Sequence, residues 1–318
     1  MAAIWSYSPA TRCIDVKLLV TGAAGQVGWE LARSLQPLGE VIAVDRRQVD
    51  LTDADRLRAF VEGVGPDVVV NAAAYTAVDQ AEREVDLARA INARAPAILA
   101  QACTAGGALL VHYSTDYVFD GASARPWLES DPTGPVNAYG RTKLEGEQAI
   151  AAQQGDWLVL RTAWVYSSRG RNFLKTMLRL AAERPELKVV DDQHGSPTFA
   201  ADIAVATATI AARCARAKAG APEFGIFHLV SSGEVTWCGF ARAIMDGSKA
   251  RGGPAVPVLA ITTADYPTKA RRPAYSKLDT GKLTRVFGVR MPDWCDALGR
   301  CLDDMLGARR AQLGSTEP

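Results

Sequence analysis

Short, unbroken apolar runs alternate with longer amphipathic stretches through the first half of the chain. "KLLV" (17–20) leads to "QVGWELARSLQPLG" (26–39), then "VIAVD" (41–45); "DADRLRAFVEGVG" (53–65) leads to "DVVVNAAA" (67–74); "DLARAINARAPAILAQACTAGG" (86–107) leads to "ALLVHYST" (108–115). Runs of about four to six consecutive apolar residues suit strands buried on both faces. Strand–helix alternation with right-handed crossovers predicts an α/β fold built on a doubly wound parallel sheet. After about residue 165 the alternation becomes irregular, and prolines and glycines gather at 185–197, 252–257 and 266–273. These stretches read as loops of a smaller α/β C-terminal domain laid over the strand ends.

The turn after the first run carries three glycines spaced by three: Gly22, Gly25 and Gly28. A tight turn alone needs no acid at a set distance, yet the second run ends in Asp45, 23 residues after Gly22. Strand, glycines, helix, strand and acid in that order predict a dinucleotide-binding (Rossmann) half. In that reading Gly22 permits the turn, Gly25 lets the backbone approach a pyrophosphate, and Gly28 lets helix and strand pack closely. The helix N-terminus supplies free N–H groups to the anion. Asp45 suits the ribose diol of NAD. Arg46 and Arg47 either hold the 2′-phosphate of NADP or form a solvated pair, so the expected cofactor is NADPH or NADH. Asp50 and Leu51 are placed along the adenine pocket, and the small residues of "NAAAYT" (71–76) let a flat cofactor lie on the backbone.

Domain limits follow: a loose extension over 1–13, the NAD(P)-binding Rossmann domain over 14–165 with a segment near 197–230 returning to it, a mainly substrate-binding domain over 166–311, and a tail over 312–318. With 318 residues, 48% of them hydrophobic, the chain can bury a large core. A net charge of +1 from 36 basic and 35 acidic residues gives no reason to expect nucleic acid or membrane as partner. Six cysteines without a CxxC pair argue for reduced thiols rather than zinc. The start, "MAAIWSYSPATRCID", lacks a basic segment followed by an apolar one. A cytoplasmic protein is expected.

Candidate chemistry lies in "HYSTDYVFDG" (112–121) and "NAYGRTKLEGE" (137–147). Tyr139 and Lys143 stand four apart on a predicted helix and share a face. A phenol with an ordinary pKa of about 10 needs help to exchange a proton near neutrality. A neighbouring ammonium and an oxidised nicotinamide ring favour the phenolate, tuning Tyr139 as a general acid/base. Thr115 ends an apolar strand, where its hydroxyl is placed to bond a substrate carbonyl, and Lys143 is within reach of the nicotinamide ribose.

This constellation resembles the extended short-chain dehydrogenase/reductase superfamily. "GQVGWEL", "PDVVVNAAAYTAVDQAE", "HYSTDYVFDG", "NAYGRTKLEGE", "RTAWVY", "NFLKTMLRLA", "DDQHGSPT", "HLVSSGEVTW" and "YPTKARRP" resemble more narrowly the dTDP-4-dehydrorhamnose reductase family, from about residue 16 to the late 290s. The resemblance implies hydride delivery from a nicotinamide to C4 of dTDP-6-deoxy-L-lyxo-4-hexulose, giving dTDP-L-rhamnose. It implies that Gly25, Gln26 and Val27 meet the pyrophosphate and Asp45 the ribose. Ala74, Tyr75 and Thr76 would flank the cofactor, with Tyr113 near the nicotinamide. Thr115 and Asp116 would touch the sugar, Tyr139 protonate the C4 alkoxide, and Lys143 tune it. Trp164 would wall the sugar pocket, while Arg271 or Arg272 pairs the diphosphate. Some relatives bind magnesium at a dimer contact. Glu30 fits one ligand position, but Ala201 and then Asp202 stand where a second glutamate is expected, so neither Mg²⁺ nor the choice between monomer and homodimer follows. Asp191, Asp192 and His194 read as loop polarity.

Two other functions share the scaffold. A dehydratase commonly has Asp-Glu after the threonine, whereas Tyr117 follows Asp116 here. An epimerase uses the same Tyr and Lys but keeps its cofactor. A non-catalytic NADP-binding regulatory subunit would not require an intact Thr115, Tyr139 and Lys143.

Overall fold

The computed structural model describes residues 16–214 and 224–307; the expected N-terminal extension (1–13) and tail (312–318) lie outside the described residues. Five strands, β1 (Val16–Thr21), β2 (Gly39–Val44), β3 (Val68–Asn71), β4 (Leu109–Thr115) and β5 (Trp157–Thr162), join a later strand, Gly225–His228. They pair all-parallel in the order β2-β1-β3-β4-β5 followed by Gly225–His228. Every residue of β3 and β4 is buried, as continuous Val/Leu runs require when helices cover both faces. This is the predicted doubly wound sheet.

Each face has its own core. Helix α1 (Gln26–Ser34) and helix Ala200–Cys214 bury Leu31, Ile203 and Ile210 against Leu18, Val20 and Phe227. Helix α2 (Ala54–Val64) and helix Ala95–Gly106 bury Leu57 and Leu99 against Leu19, Val69 and Leu110 on the other face. Local signals set the ends: Asp53 caps α2 by accepting from Arg56 N–H, and Gly65 closes it with a left-handed φ of 56°. Helix Ala138–Ala151 is capped likewise by the Asn137 side chain on Gly140 N–H.

A further core lies beyond the sheet. Helices Phe173–Glu183, Trp237–Ala250 and Trp294–Leu302 pack Leu178, Phe240, Ile244 and Leu298 together with Tyr166 and Leu187. Strands Leu187–Val190 and Val258–Ile261 form a separate parallel pair beside them. No described helix is long and apolar enough to cross a membrane. The strand order reverses between β1 and β3, so the loops leaving their carboxyl ends diverge and open a crevice there.

Candidate active site

That crevice is a cleft of about 770 Å³. Among the residues singled out from sequence, Gly22, Gly25, Gln26, Val27, Asp45, Arg46, Leu51, Ala74, Thr76, Tyr113, Tyr139 and Lys143 line it. Gly22 has φ 75°, and a Cβ there would come within 2.7 Å of Ala73 N, so backbone conformation and space both demand glycine. A Cβ on Gly28 would stand 2.1 Å from Gly22 O; this glycine packs helix against loop from below the cleft and does not line it. The N-terminus of α1 has no side-chain cap, leaving its N–H groups for an anion. Ser114 Oγ and Thr162 Oγ1 are buried without partners and belong to residues lining the same cleft. These features fit a dinucleotide.

At the adenosine end, Asp45 accepts from Arg47 N at 2.8 Å, Nε at 3.1 Å and Nη2 at 2.7 Å. The guanidinium holds the carboxyl below its ordinary value. Asp50 does not line the cleft: its Oδ1 accepts from Thr52 N–H and hydroxyl, both at 2.8 Å, in a turn of its own. Tyr75 is likewise drawn aside. Its hydroxyl donates to Glu84 at 2.5 Å and its N–H to Asn92 Oδ1 at 2.8 Å. Gln26 uses its side chain as a brace, accepting from Ser167 Oγ at 3.1 Å and Asn172 Nδ2 at 2.8 Å. The brace carries a loop whose Gly170 and Arg171 line the cleft, the latter a cation the sequence reading missed.

Tyr139 and Lys143 meet the cleft from one face of helix Ala138–Ala151. Burial pushes the Tyr139 phenol up to about 12, against a smaller lowering by the nearby Thr115 hydroxyl. Lys143 Nζ donates to Tyr113 O at 2.5 Å and lies 3.1 Å from His112 Nε2. Burial brings it down to about 8, against a smaller upward pull from Glu147. Without cofactor, burial moves both groups toward their neutral forms. His112 and its neighbour Asn71 carried no motif signal. Tyr113 sends its hydroxyl to Thr207 at 2.6 Å on the opposite sheet face.

On the substrate side, Asp116 is buried, with Oδ1 accepting from the Thr115 hydroxyl at 3.0 Å and Oδ2 unpartnered. Burial raises its carboxyl to about 7, against smaller lowering by the nearby Ser276 and Thr115 hydroxyls. Trp164, expected to wall the sugar pocket, is partly buried. It stacks on Trp237 with ring centroids 3.5 Å apart, and Gly195 sits against its Nε1–Cε2 edge. Its φ of 47° is left-handed, rare for so large a residue. Arg271 lines a separate hollow of about 490 Å³ with Lys269 and Arg272, while Arg272 also pairs with Asp79 at 2.8 Å. Glu30 has Arg33, Asp304 and Arg169 as charged neighbours. Asp202 is held by Arg300 at 2.7 Å and 2.8 Å. Among the described residues no group of three or more metal-ligating side chains could hold an ion. The loop acids near residue 190 brace loops: Asp191 accepts from Thr236 and Asp192 from Thr263.

The RmlD substrate binding domain family matches residues 16–306. A dTDP-4-dehydrorhamnose reductase of Burkholderia thailandensis is 52% identical over 297 residues, covering 92% of this chain and 99% of that one. The solved structure of a dTDP-4-dehydrorhamnose reductase from Clostridium acetobutylicum superposes with a TM-score of 0.85 at 38% identity, covering 91% of this chain and 99% of that one. The Bacillus anthracis enzyme in complex with NADP superposes at 0.84 with 34% identity and covers 91% and 99%. With a cleft that fits a dinucleotide, Tyr139 and Lys143 lining it, and likeness along nearly the whole length, this chain belongs to the dTDP-4-dehydrorhamnose reductase family.

Proposed function

We propose that this protein reduces the C4 ketone of dTDP-6-deoxy-L-lyxo-4-hexulose to dTDP-L-rhamnose with NADPH or NADH. The observation that carries the reading is that Tyr139, half-buried beside Thr115, shares its helix face and the dinucleotide cleft with Lys143. A reduced nicotinamide, when bound, supplies the hydride. Gly22, Gly25 and the N-terminus of α1 would hold the pyrophosphate, with Arg171 beside them. Asp45, or Arg46 and Arg47, would hold the ribose end.

The chain's own chemistry concerns the proton. A phenol raised to about 12 is protonated at neutral pH and so stands loaded as an acid. It donates its O–H to the C4 oxygen as negative charge develops there. Thr115, close by, would steady the same oxygen and orient the phenol. Asp116 Oδ2 lies unpartnered, ready for a sugar hydroxyl. The dTDP diphosphate finds cations in Arg271 and Lys269. We assign residues 16–165, with 197–214 and 224–230, to the nucleotide and most of the other described residues to the sugar.

The test supplies dTDP-4-keto-6-deoxyglucose with a separate 3,5-epimerase and follows the absorbance of the reduced nicotinamide. Stoichiometric oxidation only when the epimerase is present is the expected result. Turnover of nucleotide sugar without net cofactor consumption would move the function to epimerisation. Tight dinucleotide binding without turnover of any kind would point to a regulatory subunit.

A further inference from the structure

Strand register assembles a second polar chain behind the catalytic helix. Thr21 on β1 stands opposite Asn71 on β3, and Asn71 opposite His112 on β4. Their side chains bond in sequence: Thr21 Oγ1 donates to Asn71 Oδ1 at 2.7 Å, and Asn71 Nδ2 lies 3.0 Å from His112 Nδ1. His112 Nε2 then faces Lys143 Nζ at 3.1 Å. Asn71 and His112 have no solvent exposure and Thr21 has 2%, so every proton in the chain must have an acceptor within it.

The hydrogen atoms can be assigned by following these bonds. Ala73 N–H donates to Asn71 Oδ1 at 3.2 Å, as does the Thr21 hydroxyl. A backbone N–H cannot reverse its role, so it identifies that end of the amide as oxygen. The other end is NH₂ and donates to His112 Nδ1, which must accept. A neutral imidazole that accepts at Nδ1 carries its proton on Nε2. That N–H points at Lys143 Nζ, and only an amine with a free lone pair can receive it. Lys143 satisfies this while still donating one N–H to Tyr113 O.

We propose that His112 is a positioning residue for the acid chemistry: held by Thr21 and Asn71, it presents Nε2–H to Lys143 and favours that lysine's free-amine form in the cofactor-free enzyme. The inference rests on the reductase reading above for its consequence, and on the hydrogen-bond chain alone for its content. The consequence is directional. To the extent that Lys143 is a free amine, it does not draw the proton off Tyr139, which favours a phenol loaded for ketone reduction. The groups around Lys143 agree with this. From β4 come the His112 ring and the Tyr113 carbonyl. On its own helix Tyr139 is a neutral phenol, and Glu147 one turn on is already engaged by Arg161 at 2.7 Å and 2.9 Å. The hydrogen-bond partners of Lys143, His112 Nε2 and Tyr113 O, include no carboxylate.

The test uses the full chain without cofactor or substrate, so its outcome is independent of whether the reductase reading holds. The protein has three histidines, and ¹⁵N-histidine NMR of the wild type, with His112 identified through His112→Gln, reads the tautomer directly. The expected result is a neutral ring protonated at Nε2 at pH values above the about 8 to which burial brings Lys143. An Nδ1-protonated ring or an imidazolium there overturns the proposal. The second measurement titrates ¹³C-labelled lysine, with Lys143 assigned through Lys143→Arg. In His112→Gln the new amide can turn its oxygen to an ammonium, so Lys143 is expected to titrate about one pH unit higher, the worth of one hydrogen bond. An unchanged titration in a variant that melts like the wild type would leave His112 as packing only and overturn the proposal.

Discussion

Helix Ala138–Ala151 buries two charged side chains one turn apart and treats them in opposite ways. Glu147 and Arg161 are each 2% exposed and meet in a bidentate pair at 2.7 Å and 2.9 Å. Lys143, 1% exposed, has a carbonyl and an imidazole but no carboxylate. The first arrangement matches each charge with its opposite and ties the helix to β5. The second leaves a cation without counter-charge, and burial then pulls it toward neutrality. Where the helix needs only to be held, charge is matched; where a proton must move, it is left unmatched.

The sharpest break of this contrast is chemical. Tyr139→Phe removes the proton donor and leaves the cleft's shape intact, so kcat should fall by about 10²- to 10⁴-fold while NADPH affinity, measured calorimetrically, stays near wild type. A Phe variant with full turnover would remove Tyr139 from its role and with it the functional end of the comparison.

The structural end breaks through stability. Glu147→Ala strands a buried guanidinium and should lower the unfolding free energy by about 3–5 kcal/mol in a urea titration, whereas Glu147→Leu with Arg161→Met should recover most of it. Lys143→Met should act in the other direction. The folded lysine titrates at about 8, below its ordinary 10.5, so the unfolded chain binds more protons between those values. The cost of burying it is therefore full below about 8 and gone above about 10.5. Lys143→Met should stabilise the protein by about 1–2 kcal/mol below that window, after loss of its hydrogen bonds, with no gain above it. Equal behaviour of the Glu147 and Lys143 variants across pH would erase the distinction.

Asp116 tests whether the unmatched region extends beyond Lys143. Its folded carboxyl titrates at about 7, above the ordinary 3.8, so it keeps its proton through the acidic range and loses it near neutrality. An anion there opposes charge developing on the neighbouring C4 oxygen and also raises Tyr139 further. The rate should decline several-fold above about pH 7, and Asp116→Asn should flatten that decline. A limb at the same pH in the Asn variant would assign it elsewhere.

The two halves of the molecule were unequally readable. The sheet and its cleft were legible because β3 and β4 are unbroken apolar runs and because Gly22 and Asp45 occupy fixed places relative to strand ends. The outer core was hidden, since it is assembled from scattered aromatics such as Phe173, Trp237, Phe240 and Trp294, with strands as short as Val235–Thr236. Tyr75 and Asp50 stand next to cleft residues in sequence, but local bonds to Glu84 and Thr52 take their side chains. Trp164 needed its left-handed φ and its stack on Trp237 to be placed. The Thr21–Asn71–His112 chain spans three strands, and only their register brings it together; no local pattern encodes register.

The smallest effect concerns the far end of the cleft, where charge is matched but exposed. The Arg47 side chain is 85% exposed, so its hold on Asp45 is screened by water, unlike the grip of Arg161 on Glu147. Asp45 faces a choice that Glu147 does not: its carboxylate can accept from a ribose 2′-hydroxyl, or remain with Arg47 and repel a 2′-phosphate. Asp45→Ala removes the hydroxyl acceptor and the repulsion together, and frees Arg47 to join Arg46 at a phosphate. The NADPH-to-NADH ratio of kcat/KM should therefore rise by about five- to tenfold, with little change in melting temperature. The rise should shrink as salt is added, because both arginines act at a solvent-exposed rim. A ratio that stays fixed, or falls, would mean that Asp45 serves to orient Arg47 for the phosphate. The exposed pair would then be positioning in the same sense as the buried one, and the contrast between matched and unmatched charge would reduce to burial alone.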